Sequence, residues 1–388
     1  MQYPHTRQAK SERGTSVLRQ QNREMIASII LQNAPITRGT ISELTGLTGA
    51  AVSRITRELI DSGLIAEGDA IATPKRVGRR EFELVVNPEG AYFLGISITA
   101  NRRNVCLADA TGRILEIADC SDLSFADPQN FLDELSARTL ALVDSNDLDK
   151  SRLLGAGVSM AMSSGIADGD TVQTVDSRPL GWTNVPVQSM LTDKLQMPVV
   201  VEHRASALLR GEIRAGHRNG SVYLVNAALG FGSSAYFNGQ FFVSGDPGFG
   251  SISNFVVEPS DHGGASKRLE DAASGLAVIR KLYGEVSVPA DALRQAISEA
   301  NSGDINAKSA FNDAGRALGT ALLAVATLMA PQTIVLAGEV GRQNDFHSGV
   351  EEVLKALPEI ELARSDISSE DSALSVAMHN LLAKVGAI

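Results

Sequence analysis

Apolar side chains along the first ninety residues recur every three to four positions, the spacing of helices that bury one face. Met25, Ile26, Ile29 and Ile30 form one such stripe, and the reading places a helix from about Asn22, an N-cap type, to Gln32, ended by Ala34-Pro35. Thr37 is placed to cap a second helix through Leu44, with Ile41 and Leu44 on its buried side. In Thr45-Gly46-Leu47-Thr48, Gly46 suits a left-handed turn, Leu47 can plug the core, and Thr48 is an N-cap for a third helix. Val52, Ile55, Leu59 and Ile60 share one face of that helix. Ala50, Ala51, Ser53, Arg54 and Arg57 lie on the others, and Gly63 follows its end. Leu64-Ile65 and the alternating Phe82, Leu84 and Val86 then read as two strands flanking a polar, basic turn.

From Tyr92 the pattern becomes strand-rich. Tyr92 to Ile98 and Asn104 to Asp109 read as a strand pair joined by a tight turn, residues 128–144 as an amphipathic helix, and Leu154 to Met162 as a buried strand. Pro198 to Glu202 is a further strand, followed by a helix from about Ser206 to Ala215. Val222 to Ala227 and Ser234 to Phe237 form another hairpin-like pair. Residues 308–330 make a long apolar helix ahead of a buried strand, Thr333 to Gly338. Stretches near 165–178 and 258–266 read as loops, and no internal repeat is visible. Strands alternating with helices mean an α/β architecture.

Composition adds three constraints. The 388 residues imply two or three domains. The net charge of −10 hides an asymmetry: residues 1–80 carry 12 Lys/Arg against 7 Asp/Glu, and residues 81–388 carry 23 against 38. A basic front on an acidic body suits a phosphate-contacting module joined to a different domain. Cys106 and Cys120 are too few for a disulfide scaffold and form no metal-ligand pattern. The N-terminus lacks the apolar run of a secretory signal, and Ala321 to Ala330 is about half the length that crosses a bilayer, so a cytoplasmic protein with no membrane partner is expected.

Helix, tight glycine turn, then a helix with small and basic outward residues is the helix-turn-helix arrangement. A recognition helix enters the major groove by its N-terminal end, where bulky side chains would hold the backbone away. The small residues at 49–51, Ala50 and Ala51 among them, permit close approach behind the Thr48 cap, and Ser53, Arg54 and Arg57 can reach bases or phosphates. Arg76, Arg79 and Arg80 in the turn between the two strands form a wing able to place arginines in or near a minor groove. The competing reading is a small helical protein-binding module with a solvated basic hairpin.

Five landmarks in order carry a resemblance over nearly the whole chain: Leu94-Gly95-Ile96, Leu180 to Pro186, Pro198 to Glu212, Gly230-Phe231-Gly232 with Gly239, and Pro331 to Gly338. Together they resemble the ROK family of repressors, open reading frames and sugar kinases, and its repressor branch in particular. The resemblance implies a winged helix-turn-helix (residues 1–86) followed by an α/β, two-lobed actin-like ATPase fold. Lobe 1 would span 87–204, completed by a final helix within 371–388, and lobe 2, the oligomerising one, 205–370.

It also allows the family's chemistry to be checked. By register the catalytic aspartate falls on Arg204, and a guanidinium stays protonated and cannot act as a general base. The first phosphate loop, Asp-x-Gly-Gly-Thr in family kinases, reads Ser97-Ile98-Thr99-Ala100-Asn101; the second, Gly-Thr-Gly-x-Gly, reads Ala228-Leu229-Gly230-Phe231-Gly232. The family's zinc-site histidine corresponds to Asn254, and His262 alone makes no structural site. No kinase activity, no zinc and no cofactor are therefore expected. Sugar-contacting positions correspond to His203, Arg204, Ser251, Asn254 and Glu270, with Asn184 nearby in the second landmark, and only Glu270 keeps the family residue.

Two readings of the cleft stay open. In one it binds a different effector, a sugar, sugar phosphate or sugar acid, with Arg204 forking onto an anion. In the other it has degenerated, Arg204 pairs with Glu202 or Glu270, and the domain only dimerises. The overall expectation is a regulator, a repressor of carbohydrate-related genes, binding a double-stranded DNA operator as a homodimer or homotetramer. The alternatives are a ligand-independent DNA-binding scaffold and a sugar kinase with an accessory DNA-binding domain.

Overall fold

The computed structural model describes residues 7–71, 81–162, 164–168, 171–216, 220–242, 252–258 and 267–385. The N-terminal head consists of α1 (Arg7–Asn33), β1 (Ile36–Thr37), α2 (Arg38–Thr45), α3 (Gly49–Asp61), β2 (Ile65–Ile71) and β3 (Glu81–Val86). The caps read from sequence form. Thr37 accepts from the Thr40 N–H and Thr48 from the Ala51 N–H, each satisfying an amide that the first helical turn leaves open. Gly46 ends α2 at φ 68°, with its N–H donating to the Ser42 carbonyl. Ile26, Ile30, Ile41, Val52, Leu59 and Leu84 are fully buried, so helices and wing strands share one core.

The body starts with β4 (Tyr92–Ile98), β5 (Arg103–Asp109), β6 (Ile114–Asp119), α4 (Pro128–Ser145) and β7 (Leu153–Met160). β8 (Ser164–Asp168), β9 (Thr171–Ser177), β10 (Trp182–Val185), α5 (Val187–Leu195) and β11 (Val199–His203) complete its first lobe. The main sheet has the order β11-β7-β4-β5-β6, with β4, β7 and β11 parallel and β4-β5-β6 an antiparallel meander. β4 and β5 are buried at every position; β4 accordingly reads as a near-continuous apolar run, whereas β5 buries Arg103, Asn104 and Asp109 with its apolar residues.

α6 (Arg204–Arg214) leads to the second lobe. It holds β12 (Val222–Ala227), β13 (Phe231–Phe237), β14 (Gln240–Phe242), β15 (Val256–Glu258) and β16 (Lys267–Arg268). The helices α7 (Leu269–Ala273), α8 (Gly275–Tyr283), α9 (Pro289–Asn301) and α10 (Ile305–Met329) follow, then β17 (Thr333–Ala337), α11 (Gly338–Gly341), α12 (Asn344–Leu354) and β18 (Glu361–Arg364). Its sheet, β14-β13-β12-β17-β18, repeats the first lobe's plan: an antiparallel meander, then two strands parallel to its last-paired member. This duplication is invisible as sequence repetition.

α13 (Ser369–Val385) returns to the first lobe. Two strand glycines let it lie directly on the sheet: a Cβ at Gly95 would stand 2.8 Å from the Leu374 nitrogen, and one at Gly157 only 2.2 Å from the Ala377 nitrogen. α1 packs against α13, and Ile26, Ala27 and Ile30 of the head share a hydrophobic cluster with Leu374, Ala377, Met378 and Leu381. The joint is reinforced where Asn87 donates to the Gly63 carbonyl at 2.6 Å and Arg152 to the Glu89 carbonyl at 3.0 Å.

Three local expectations fail. Leu44 does not lie on the buried side of α2 but is 61% exposed, because so short a helix brings only Ile41 to face the core. The first helix does not start near Asn22 but runs from Arg7, because the polar run upstream is rich in helix formers and a capping-type residue alone does not stop a helix. The stretch expected as a loop at 165–178 forms the β8–β9 hairpin, its alternation hidden by polar residues on the open face.

Candidate functional site

On the head, α3 presents Ala50, Ser53, Arg54 and Arg57 at the surface, with the exposed Thr48 at its cap and Ala51 half-buried. Val52, Ile55, Thr56 and Leu59 hold its opposite side in the core. Arg38 of α2 bridges to Thr56 Oγ1 at 3.0 Å and to Glu67 of β2 at 2.8 Å, and Arg19 of α1 pairs with Glu58, so the helix is braced from both sides. Arg54 and Arg57 have no ion pair or hydrogen bond recorded among the described residues, and they flank a shallow groove with Ala50, Ser53 and Asp61. An exposed, unpaired arginine pair on a braced helix end is what contact with phosphate or base edges requires. Arg76, Arg79 and Arg80 lie outside the described residues.

In the body, one cleft of about 1490 Å³ opens between the lobes. It is lined by Thr99, Ala100 and Asn101 after β4, by the Ala228 to Gly232 loop between β12 and β13, and by His203 and Arg204 where β11 meets α6. Three segments far apart in sequence thus converge on one site. Asn254 and Glu270 also line it. Asn184 does not: it sits exposed on β10 with its N–H on Asp176. Ser251 and His262 lie outside the described residues.

Arg204 does not pair with Glu202 or Glu270, the partners the degenerate reading supplied. Glu202 is held by Arg210 at 2.7 Å, and Glu270 faces Arg178 at 3.6 Å. Arg204 reaches four hydroxyls instead: Ser97, Ser159 and Ser372 from Nη1 at 3.3, 3.4 and 3.2 Å, and Ser369 from Nη2 at 3.1 Å. Burial first, then the neighbouring Arg342, lowers its pKa to about 10, so it stays charged at neutral pH. These serines come from β4, β7 and the start of α13, and no local pattern in the sequence marks them as a group. Across the cleft, the Asn101 amide donates to both carboxylate oxygens of Glu339 at 3.0 and 3.1 Å.

His203 caps α6: its Nδ1 accepts from the Ala205 N–H at 3.1 Å, and its other nitrogen donates to the Met162 carbonyl. A Cβ at Gly232 would stand 2.2 Å from the His203 ring, so this loop glycine now makes room for a side chain. Burial lowers the His203 pKa to about 4. The unfolded chain, with an ordinary histidine, binds a proton below about pH 6.5 where the folded protein resists it. The histidine's neutral form is therefore fully accommodated above pH 6.5, and stability falls from there toward pH 4. We expect stability against thermal unfolding to fall by roughly 1–2 kcal/mol between pH 7 and pH 5 from this residue, with a shallower dependence in His203→Asn. An unchanged pH slope in the variant would contradict it.

Trp182 is buried, stacked edge-on with Phe131 at 5.4 Å, and its indole donates to the carbonyl of Phe125, a cleft-lining residue. No described helix is long and apolar enough to cross a membrane.

Residues 93–375 match the ROK family, and residues 19–66 match a winged helix-turn-helix DNA-binding domain. Over 337 residues the chain is 26% identical to the DNA-binding transcriptional dual regulator NagC of Escherichia coli, covering 84% of this chain and 82% of that protein. It is 24% identical over 326 residues to the xylose repressor of Bacillus subtilis, covering 82% of each. Among solved structures, a ROK family transcriptional regulator, a homolog of the E. coli MLC protein, superposes with a TM-score of 0.74 at 20% identity, covering 95% of this chain and 98% of that one. A ROK family glucokinase from Streptomyces griseus, with glucose and AMPPNP, gives 0.59 at 19% identity, covering 74% and 98%.

Proposed function

The chain belongs to the ROK family, and from that premise we propose that it is a DNA-binding transcriptional repressor of carbohydrate-related genes that senses a sugar-derived effector and transfers no phosphate. The observation that carries this reading is a braced α3 offering Arg54 and Arg57, and it is supported by Arg204, which the family resemblance aligns with the carboxylate base of the kinases. Phosphoryl transfer needs a group that accepts the sugar hydroxyl's proton, and Arg204 cannot. The first phosphate loop compounds this, since Asn101 binds Glu339 of the opposite lobe, which puts a carboxylate where nucleotide phosphates would approach.

We assign residues 1–86 to DNA reading, 87–204 with the C-terminal helix to the first sensing lobe, and 205–370 to the second lobe and to self-association as a dimer or tetramer. Two heads on a symmetric assembly would read a pseudo-palindromic operator. Thr48, Ala50, Ala51, Ser53, Arg54 and Arg57 meet the major groove; His203, Arg204, Asn254 and Glu270 face the effector. α13 supplies a route between the two functions, since its first turn binds Arg204 at the cleft and its later residues pack with α1 of the head. A ligand that favours one lobe arrangement would shift DNA affinity through that helix.

Mapping of bound DNA across the source genome should give a small set of sites with two related half-sites near genes of carbohydrate metabolism. Purified protein incubated with ATP and a panel of hexoses should give no sugar phosphate. Turnover on any sugar would replace this reading with that of a kinase carrying a DNA-binding head.

A further inference from the structure

Among the described residues, three guanidinia of the cleft have no carboxylate in contact: Arg204, Arg342 and Arg103, the last held by the backbone carbonyls of Ala100 and Ser121. Among the described residues, Arg204 bonds only serine hydroxyls, and Arg342, at the end of α11 on the second lobe, donates only to the Ile367 carbonyl at 2.9 Å. Both line the same cavity. Four nearby carboxylates are committed elsewhere: Glu370 to Arg102 at 2.9 Å and to the Asn104 amide at 2.6 Å, Glu339 to Asn101, Glu202 to Arg210, and Glu270 to Arg178. Asp366, which also lines the cavity, is in contact with neither Arg204 nor Arg342. Arg342 is the charged neighbour that acts most strongly on Arg204, and it acts by repulsion.

A largely buried cation solvated by neutral hydroxyls, with a second cation as its chief charged neighbour, is electrostatically incomplete. Four hydroxyl contacts at 3.1–3.4 Å are long for charge-assisted hydrogen bonds, so the guanidinium is loosely held. Its five N–H donors exceed what these contacts use, and serine hydroxyls can turn to donate to an incoming anion.

We propose that the effector is an acidic sugar, carrying a carboxylate or a phosphate that binds between Arg204 and Arg342 and so bridges the hinge to the second lobe. This rests on the effector-sensing reading above and names its ligand class. Anion binding draws Arg204 toward the cavity and away from Ser369 and Ser372, loosening the first turn of the helix that carries the head. The remaining sugar hydroxyls meet His203, Asn254 and Glu270.

The test uses the full-length protein and four probes: D-glucuronate, D-glucose 6-phosphate, D-glucose and N-acetyl-D-glucosamine, followed by calorimetry and Trp182 fluorescence. One of the two acids should bind at least tenfold more tightly than either neutral sugar, and which acid does so separates carboxylate from phosphate. Arg204→Gln and Arg342→Gln should each weaken that acid tenfold or more, while Arg316→Gln, on the exposed surface of α10, should leave it unchanged. Arg342 is exposed to the cleft, so its replacement tests the idea even if Arg204→Gln does not fold. Preferred binding of a neutral sugar, acid binding that survives Arg342→Gln, or no binding of either acid each overturns the proposal. Operator binding measured on the same preparations keeps the two readings apart: intact DNA binding with a neutral effector removes only the acid, and absent DNA binding removes the repressor itself.

Discussion

Arg54→Ala combined with Arg57→Ala should lower operator affinity by about a hundredfold while leaving the melting temperature of the protein unchanged. A bidentate arginine contact to a base is worth about 1–3 kcal/mol, and loss of two such contacts adds if the sites are independent. Stability should hold because both side chains are exposed and neither has a recorded partner among the described residues, so no buried group is orphaned by their removal. Anisotropy titrations against operator and against an unrelated duplex, at two salt concentrations, separate the roles. A residue reading bases loses affinity for the operator alone. A residue on phosphates loses affinity for both and flattens the salt dependence by about one unit of slope. Less than a threefold loss in the double variant would move recognition off α3.

Gly157→Val should have the largest effect on the fold. Gly157 lies in β7, and a Cβ there would meet the Ala377 nitrogen at 2.2 Å and the Ala373 carbonyl oxygen at 2.6 Å. Both are backbone atoms of α13, so no side chain can swing aside and the helix must lift from the sheet. Overpacking of this kind costs about 1–3 kcal/mol, and contact with backbone puts this case at the upper end. The expected result is a fall of several degrees in melting temperature, with a larger proportional loss of operator binding, because α13 also carries the packing of α1. Gly46→Ala is the contrast: its open surroundings leave only the cost of the left-handed backbone, about 1 kcal/mol, with no effect on α13. Equal melting temperatures for Gly157→Val and wild type would show that the helix does not bear on the sheet as closely as described.

The reading head was legible because its determinants are local. Thr37 and Thr48 cap the helices that follow them, Gly46 turns between them, and Val52, Ile55 and Leu59 fall on one side of α3 by helical spacing alone. Each of these is settled within four residues of chain. The β8–β9 hairpin and the start of α1 were misjudged for the complementary reason, since there local composition competes with a tertiary surface or lacks a stop signal.

The body divides in the same way. The sequence carries the residues on which the resemblance is checked, because residue identity needs no coordinates. Arg204 stands at the position expected for the carboxylate base, and Thr99-Ala100-Asn101 and Leu229-Gly230-Phe231 stand in the expected phosphate loops. What surrounds that arginine was beyond it. Ser97, Ser159, Ser369 and Ser372 lie up to 275 positions apart in the chain, and they meet only because β4, β7 and α13 end at one hinge. The repeated sheet plan of the two lobes is likewise a property of strand pairing, which many unrelated apolar runs satisfy equally well. Short-range order follows from side-chain identity and backbone sterics, and so it is written in the sequence. The partner of a buried charge depends on which distant strands the packed core brings together, and that only the tertiary structure decided.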